Sequence, residues 1–413
     1  MSWAAEEFAT VDLGDKRLNK RLVKVVQQWA DKPTQSIPTA SGCWGDTAAA
    51  YRLLDNKRCD WREILEAHSH CTTQRMTALP VVLCLTDTTE LDFNGQTITG
   101  LGPLSFEAQR GMYLHPTYAV STDREPLGLL DAWMWARKPK DANGQRRDIN
   151  ESVRWIESYE RLAERAVELP QTRLVQVGDR ESDILGLMQR AQALGWPVDL
   201  LVRSQHNRVV GDNKYLWDEV NAEAVLGEIQ FTLGGRDGRK PRVVRQVLRA
   251  KRMRVDHGKH ADGAVEMTCL VASEIDAPAG VKPVCWRLPT NREVTTSAQI
   301  IELIDWYRAR WEIEMLFHVL KNGCRVEALQ PATGQPGKDR ARAHAVHGGV
   351  LAHCAADAAG PHLSRVTGLV DVRSRRDTRC ACVDEQAHAK RAAQPERHGA
   401  SRGHARRLLG AQR

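Results

Sequence analysis

The chain lacks an apolar stretch long enough to cross a membrane. No uninterrupted apolar run among its 413 residues reaches the roughly 18 residues that a bilayer span requires. The N-terminal sequence MSWAAEEFATVDLGDKR has no basic start followed by an apolar segment, which argues against a secretory signal. We therefore expect neither a membrane partner nor secretion.

The ten cysteines lack the paired spacing of a metal or disulfide framework. No CxxC pair occurs, and Cys380 and Cys382 lie two positions apart with no second pair nearby. A zinc site draws on closely spaced ligand pairs, and a disulfide scaffold needs many cysteines in a short chain. The pattern predicts free thiols in a reducing cytoplasm.

The segment 330–413 lacks the residues that build a core. It contains no Ile, Met, Phe, Trp, Tyr or Asn, and it holds 17 Ala and 13 Arg residues. It also has 15 Lys and Arg against 7 Asp and Glu, which leaves 44 basic and 45 acidic residues before it. Such a composition cannot bury enough apolar area to offset its ordering entropy. We expect a disordered or poorly folded basic tail, and any nucleic-acid interface elsewhere must come from local clusters.

The N-terminal region predicts a bundle of short helices. Residues 12–30 form an amphipathic pattern with Asp15 as a candidate N-cap. Two further helical segments, TAAAYRLLDN and WREILEAH, follow a turn rich in small residues. Helices joined in this way are typical of DNA-binding modules, which is the role that we predict for residues 1–70. The alternative is an ordinary helical cap.

Residues 71–329 predict an α/β catalytic domain. Two apolar runs, VVLCLTD and RLVQVGD, each end in an acid, Asp87 and Asp179. Around them the order is three strands, helix, strand, helix, strand, which indicates a mixed sheet. Open sheets of this kind usually place ligand sites where their strands end. An Asp at a strand end taken alone is more commonly a turn residue.

Residues 204–290 predict a β-rich insertion in that domain. One of its strands places Arg245, Arg249 and Lys251 on a single face, because side chains alternate along a strand. A cationic face suits a phosphate backbone. The alternative is a solvated edge strand protected by charge.

The segment IIELIDWYRARWEIEMLFHVLKNGCRVE predicts a long helix. Thr296 and Gln299 fit a capping box at its start. Four polar residues fall within an arc of roughly 60° on one face at helical spacing. They are Tyr307, Arg310, Glu314 and Lys321. A surface ion-pair ladder is the alternative explanation.

The three acids Asp87, Asp179 and Glu314 have the chemistry of a metal site for phosphodiester reactions. Mg²⁺ prefers oxygen ligands and needs few protein carboxylates. Two metal ions about 4 Å apart can activate water and stabilise a leaving oxygen at phosphorus. Arg310 and Lys321 would hold phosphates beside them.

These motifs together resemble the DDE transposases of bacterial cut-and-paste insertion sequences, in the insertion-sequence-four family that includes the transposon-five transposase. The signature Y-x2-R-x3-E-x6-K is present without gaps from Tyr307 to Lys321. The strings TDTTEL and GDRESDI match the segments that carry the first two catalytic acids, at Asp87 and Asp179. LGDKRLNKRL resembles the DNA-binding segment. The resemblance covers residues 3–329.

The resemblance implies a ribonuclease-H-like core and a transposase that cuts and joins the ends of its element. The three acids would be catalytic residues and ligands of Mg²⁺, with Mn²⁺ as an alternative ion. Tyr307, Arg310 and Lys321 would contact DNA. Water would nick the DNA, the freed 3′-hydroxyl would form a hairpin that is reopened, and the 3′-hydroxyl would then attack target DNA. The partners would be duplex DNA with terminal inverted repeats and a second protomer in a synaptic complex, in the bacterial cytoplasm at the nucleoid.

Trp286 in VCWRLPT matches an aromatic that the family stacks on a base flipped from the hairpin. The alternative is a buried strand tryptophan. Pro289 departs from the family pattern, since proline removes a ladder donor.

The resemblance ends near residue 330, where the family continues with helices that mediate dimerisation. We hypothesise that the reading frame shifts soon after Glu327, so that transposition is weak or absent. A natural basic tail that binds DNA non-specifically is the alternative. Two other functions stay open: a non-catalytic protein that binds or blocks element ends, and a repair or resolving nuclease of the same fold.

Overall fold

The computed structural model describes residues 2–328, except positions 97, 99, 147–150, 211–213, 235–239 and 256–262. The predicted tail, 330–413, lies outside the described residues. Within the described part, no helix combines the length and apolar character needed to cross a membrane.

The N-terminal part is helical, as predicted. Its helices are α1 (Trp3–Glu7), α2 (Lys16–Asp31), α3 (Ile37–Ser41), α4 (Trp44–Leu54) and α5 (Trp61–Met76). Helix α2 begins at the predicted cap, because the Asp15 carboxylate accepts the backbone N–H of Arg17 at 2.8 Å. Its apolar residues Leu22, Val25 and Trp29 pack with α1, α3 and α4 into a small separate core.

The central part is a mixed sheet flanked by helices, which confirms the predicted α/β class. Its elements are β1 (Val81–Thr86), β2 (Thr89–Asp92), β3 (Gly102–Pro103), β4 (Arg110–Ser121), β5 (Pro126–Trp135), α6 (Val153–Glu168), β6 (Arg173–Gly178), α7 (Leu185–Ala193) and β7 (Asp199–Val202). The pairing order is β5-β4-β1-β6-β7, with β1, β6 and β7 parallel and β4 antiparallel to both neighbours. Strands β1 and β6 are buried over nearly their whole length, as continuous apolar runs require.

The predicted β-rich insertion extends this sheet. Its elements are β8 (Val209–Val210), β9 (Lys214–Tyr215), α8 (Leu216–Asn221), β10 (Gly227–Leu233), β11 (Arg242–Val255), β12 (Val265–Ile275) and β13 (Cys285–Thr290). Strands β10 to β13 form an antiparallel meander that joins β7 through the pair Thr290–Leu201, giving an eleven-stranded sheet in the described residues. Pro289 lies opposite Cys269 in β13 without breaking the ladder to β12. The proline is tolerated where β13 has almost no partner on its other side.

The C-terminal part of the described chain is helical. It comprises α9 (Ser297–Ala309), α10 (Trp311–His318), a π-helical turn at Val319–Gly323 and a 3₁₀ turn at Val326–Ala328. The predicted capping box is confirmed, since the Thr296 hydroxyl accepts the N–H of Gln299 while the Gln299 side chain accepts the N–H of Thr296.

A buried polar cluster ties the N-terminal helices to the sheet. Glu7 of α1 accepts two hydrogen bonds from Arg75 of α5 at 2.9 and 3.1 Å, and it lies 2.6 Å from Nδ1 of His68. The other ring nitrogen of His68 accepts the backbone N–H of Leu129 in β5 at 2.9 Å. Burial lowers the pKa of His68, so the ring is neutral with its proton directed at Glu7. Helices α1 and α5 are therefore fixed to β5 through one imidazole.

We predict that His68→Ala lowers the free energy of unfolding by about 3 kcal/mol, because it leaves the Leu129 N–H without a partner and removes one of the two groups that hold the buried Glu7. His70→Ala is the matched control. His70 is exposed on the same helix and should change stability by less than about 0.5 kcal/mol. Urea unfolding of both variants at pH 7.5 measures the difference. Equal effects would show that the cluster contributes nothing to stability.

Candidate active site

Two parallel strands bring Asp87 and Asp179 together. Thr86 of β1 pairs with Gly178 of β6 in the parallel ladder, and each acid is the next residue in its strand direction. The two carboxylates therefore leave the sheet side by side at the carboxyl edge, as predicted. Gly178 is required here, because a Cβ at that position would lie 2.3 Å from the Ser182 hydroxyl. The Ser182 side chain, at the end of the 3₁₀ turn Arg180–Ser182, packs against the strand in the space that a Cβ would fill.

Glu314 joins these acids through Arg310. Nη1 of Arg310 donates to Oδ2 of Asp87 at 2.8 Å, and its two terminal nitrogens lie 3.4 and 3.3 Å from Oε1 of Glu314. The side chains of Asp87 and Arg310 are 12% and 14% exposed, whereas Glu314 is 40% exposed. The first and third predicted acids are thus linked by one largely buried guanidinium.

The predicted long helix is interrupted, which corrects its geometry. Helix α9 ends at Ala309 and α10 begins at Trp311, so Arg310 is the joint between them. The helix then widens into the π turn that contains Lys321. A π turn has more residues per turn than an α-helix, so it rotates the later side chains around the helix axis. Lys321 therefore does not share the narrow face that was predicted for it with Tyr307, Arg310 and Glu314. The Lys321 ammonium lies 4.0 Å from Glu327.

Tyr307 is buried beneath this joint. Its side chain belongs to the main hydrophobic core and is 6% exposed. Burial raises its pKa, while the hydrogen-bonded Arg203 guanidinium opposes that rise. Arg203 directly follows β7, the third parallel strand, so it reaches the same carboxyl edge as the two acids. The sequence prediction does not include Arg203, although its position directly after the apolar run VDLLV is a local signal for it.

The environment disfavours a negative charge on Asp87. Burial and the neighbouring Asp179 raise the pKa of Asp87 to about 7, against the lowering effect of Arg310. Oδ1 of Asp87 accepts the N–H of Thr88 at 2.8 Å. Beneath it, the Thr88 hydroxyl lies 2.8 Å from Nδ1 of the buried His115, a contact between residues too distant in sequence for spacing to reveal. The cluster therefore has a surplus of carboxylates that a cation would stabilise.

The donors suit a hard divalent ion, although they are not gathered into a finished metal site. Carboxylate oxygens are the ligands that Mg²⁺ prefers. The Arg310 guanidinium is a stand-in cation between Asp87 and Glu314. Within the described ranges, no group of three or more His, Cys, Asp or Glu side chains is already arranged to hold a metal ion. The chemistry of the donors fits Mg²⁺, and the guanidinium occupies the place between two of them.

The other predicted DNA contacts lie in the extended part of the sheet and have intramolecular partners. Arg245 pairs with Glu228 at 3.1 Å and Lys251 with Glu223 at 2.8 Å. Arg249 donates to the backbone carbonyl of residue 223 at 3.1 Å. Their predicted role in DNA binding remains a prediction.

Trp286 is half-buried in β13 and stacks on Phe231 of β10, with ring centroids 5.4 Å apart and planes at 14°. One ring face is therefore covered by the protein. A role in stacking on a flipped base remains a prediction for the other face.

We predict that Asp87→Asn stabilises the metal-free protein at high pH. Because the folded-state pKa of about 7 exceeds the unfolded value, the folded state binds the extra proton, and stability falls as pH rises from about 4 through 7. The amide removes that loss, so the variant should be more stable by roughly 2 kcal/mol at pH 8 and equal near pH 4.

Urea unfolding in EDTA at several pH values measures this gap. Asp123→Asn is the control, since Asp123 is exposed and should show no gap at any pH. A gap that stays constant with pH would contradict the assignment of the raised pKa to Asp87.

Comparison with known proteins gives two findings. Residues 1–59 match the transposase DNA-binding family, a segment that spans α1 to α4. A cryo-EM structure of the piggyBac transposase synaptic complex with hairpin DNA aligns with 88% of this chain and 72% of that chain, at 10% identity and a TM-score of 0.40. A similarity at that level carries no argument about the site. The match of residues 1–59 to the transposase DNA-binding family is independent of that structural similarity.

Proposed function

We propose that this protein is a DNA transposase that cuts and joins the ends of an insertion sequence by metal-dependent hydrolysis and transesterification of phosphodiesters. The observation that carries the proposal is that Asp87 and Glu314 share the Arg310 guanidinium, while Asp179 ends the strand beside Asp87. The match of residues 1–59 supports the DNA-binding half of the proposal.

The finer assignment is to the DDE transposases of the insertion-sequence-four family, with a ribonuclease-H-like core. It is supported by the strand order β5-β4-β1-β6-β7, in which an antiparallel meander is followed by two parallel strands. It is also supported by the spacing of Tyr307, Arg310, Glu314 and Lys321.

In the mechanism, Asp87, Asp179 and Glu314 would hold the divalent ion. When bound, Mg²⁺ would lower the pKa of a water nucleophile and neutralise charge on the phosphate. The Arg310 guanidinium would bind a phosphate oxygen at the core edge, where its fork geometry and partial burial strengthen the contact. Tyr307, buried in the core, would keep the joint between α9 and α10 in place. Lys321 would add positive charge from the π turn.

The duplex contact of the N-terminal segment would use α2. Five basic residues lie between positions 16 and 24 of this helix, but Arg21 and Lys24 are paired with Asp46. Lys16 and Lys20 are exposed one turn apart, and no ion pair holds either within the described residues. These two ammonium groups are therefore available to phosphates of the terminal repeats, as a homodimeric synaptic complex would require of each protomer.

A second candidate is a protein that binds element ends without turnover. The specific observation in its favour is that the Arg310 guanidinium holds two of the three acids. Detection of DNA binding without metal-dependent nicking would select this candidate.

We predict that Asp179→Ala reduces Mg²⁺-dependent nicking of DNA carrying the flanks of the protein's own gene by on the order of 10²–10³-fold, because a ligand of the divalent ion that would stabilise charge at the reacting phosphate is lost. DNA binding in EDTA should be unchanged. Gel analysis of nicked products and fluorescence anisotropy measure the two quantities. Asp123→Ala is the control and should nick at the wild-type rate. Nicking that survives Asp179→Ala would refute the proposed active site.

We also predict that the double variant Lys16→Ala, Lys20→Ala binds the same DNA more weakly and lowers the slope of log K against log salt by about 2, one for each lost phosphate contact. Lys32→Ala, just beyond the end of α2, is the matched control and should leave the slope unchanged. Anisotropy titrations between 50 and 200 mM salt, the range over which such slopes are usually measured, give the values. Equal slopes for all variants would place the DNA contact on another surface.

A further inference from the structure

We infer that Arg310 is a built-in counter-ion that must release Asp87 and Glu314 when a divalent cation binds, so that guanidinium and metal compete for the same oxygens. The inference rests on the proposed function, because it concerns the metal site assigned there. It adds that, before a divalent ion binds, the Arg310 guanidinium holds the oxygens that the ion would take.

The contacts of Asp87 make the competition direct. Its Oδ1 accepts the Thr88 N–H at 2.8 Å, and its Oδ2 accepts Arg310 at 2.8 Å. Both oxygens are therefore engaged, and Oδ2 is the one held by a side chain instead of the adjacent backbone. A metal that takes Oδ2 as a ligand displaces the guanidinium from it.

Glu314 shows the same conflict more weakly. Both terminal nitrogens of Arg310 share its Oε1, at 3.3 and 3.4 Å, which are long for charge-assisted bonds. The contact at Asp87 is shorter and more buried. Release from Glu314 therefore costs less, and Asp87 is the stronger of the two restraints on Arg310.

Because the site is largely buried, Arg310 can leave the carboxylates only when another cation replaces it. Removing the cation from this largely buried cluster leaves its surplus of carboxylate charge uncompensated, which is destabilising. Asp87 and Arg310 are both largely buried, and Asp179 adds a like charge beside them. A divalent ion can compensate the carboxylates as Arg310 leaves, whereas departure without an ion leaves them exposed to mutual repulsion.

The Arg310 guanidinium can leave the acids while the backbone of Arg310 stays in place. Arg310 is the only residue between α9 and α10 in the described chain, with its N–H on the Tyr307 carbonyl at 3.0 Å and its carbonyl accepting Ile313 N–H at 3.2 Å. Both hydrogen bonds join residues three positions apart, so the backbone is wound more tightly here than in an α-helix. The freed guanidinium stays attached to a fixed joint at the edge of the site, where it can meet a phosphate. Metal binding and phosphate binding are then coupled through one side chain.

The test is calorimetric titration of Mn²⁺ into the full chain without DNA. Arg310→Ala should bind Mn²⁺ about tenfold or more tightly than the wild type, because the competing charge is removed from the carboxylates. Arg310→Lys keeps the charge and should stay within about threefold of the wild type. Arg203→Ala is the control for removal of a nearby positive charge that does not occupy the acids, and it should change affinity by less than about threefold.

A thermal-unfolding series with and without Mn²⁺ gives a second readout. Arg310→Ala should melt below the wild type in EDTA and recover more on addition of Mn²⁺, and a variant that folds only with Mn²⁺ would support the inference in the same way. Mn²⁺ affinity that is unchanged or weaker in Arg310→Ala, or raised equally in Arg203→Ala, overturns the inference and leaves the proposed function intact. Absence of Mn²⁺ binding in all four proteins would instead remove the metal site and with it the proposed function.

Discussion

Carboxylates are concentrated at the carboxyl ends of the parallel strands, and this charge must be balanced by the elements packed around it. Strands β1 and β6 run parallel in a register that leaves Asp87 and Asp179 adjacent at their ends. Burial and mutual repulsion make that arrangement unfavourable for two ionised groups. It persists because Arg310 reaches Asp87 from the helical side and because the apolar strands beneath are buried on both faces. An unfavourable charge cluster supported by a rigid core is what a cation-dependent active site requires.

The same sheet determines where the DNA-binding helices stand. Helix α5 leads out of the N-terminal core and packs on β5, and the cluster of Glu7, His68 and Arg75 fixes α1 to both. Strand β5 pairs with β4, and β4 pairs with β1, which ends at Asp87. The path from the N-terminal helices to Asp87 therefore runs through hydrogen-bonded and packed elements. A duplex held by α2 would be positioned relative to the acids without a flexible linker.

Much of the fold could be predicted from local sequence. Apolar runs ending in Asp87 and Asp179 predicted strand ends at one sheet edge, and Thr296 with Gln299 predicted a helix start, because each signal lies within a few residues. The spacing of Tyr307, Arg310 and Glu314 predicted that these residues lie close together, and Arg310 does contact Glu314 as well as Asp87. The joint at Arg310 and the π turn at Lys321 could not be predicted, since both depend on how the helix packs on the sheet. The joining of the insertion to β7 rests on one long-range pair, Thr290 with Leu201, which no local pattern encodes.

The partners of the predicted basic strand decide how DNA binding is distributed. Arg245 and Lys251 are already neutralised by glutamates, so a phosphate would have to displace a carboxylate to reach either cation. Exchange of one exposed ion pair for another yields little net free energy, because each partner is solvated in either state. Exposed Lys16 and Lys20 need no such exchange, and Arg310 exchanges only when another cation takes its place. If the proposed function holds, the affinity for the duplex would therefore arise mainly at α2, and the contact with the reacting phosphate would arise at Arg310 once the carboxylates have a different partner.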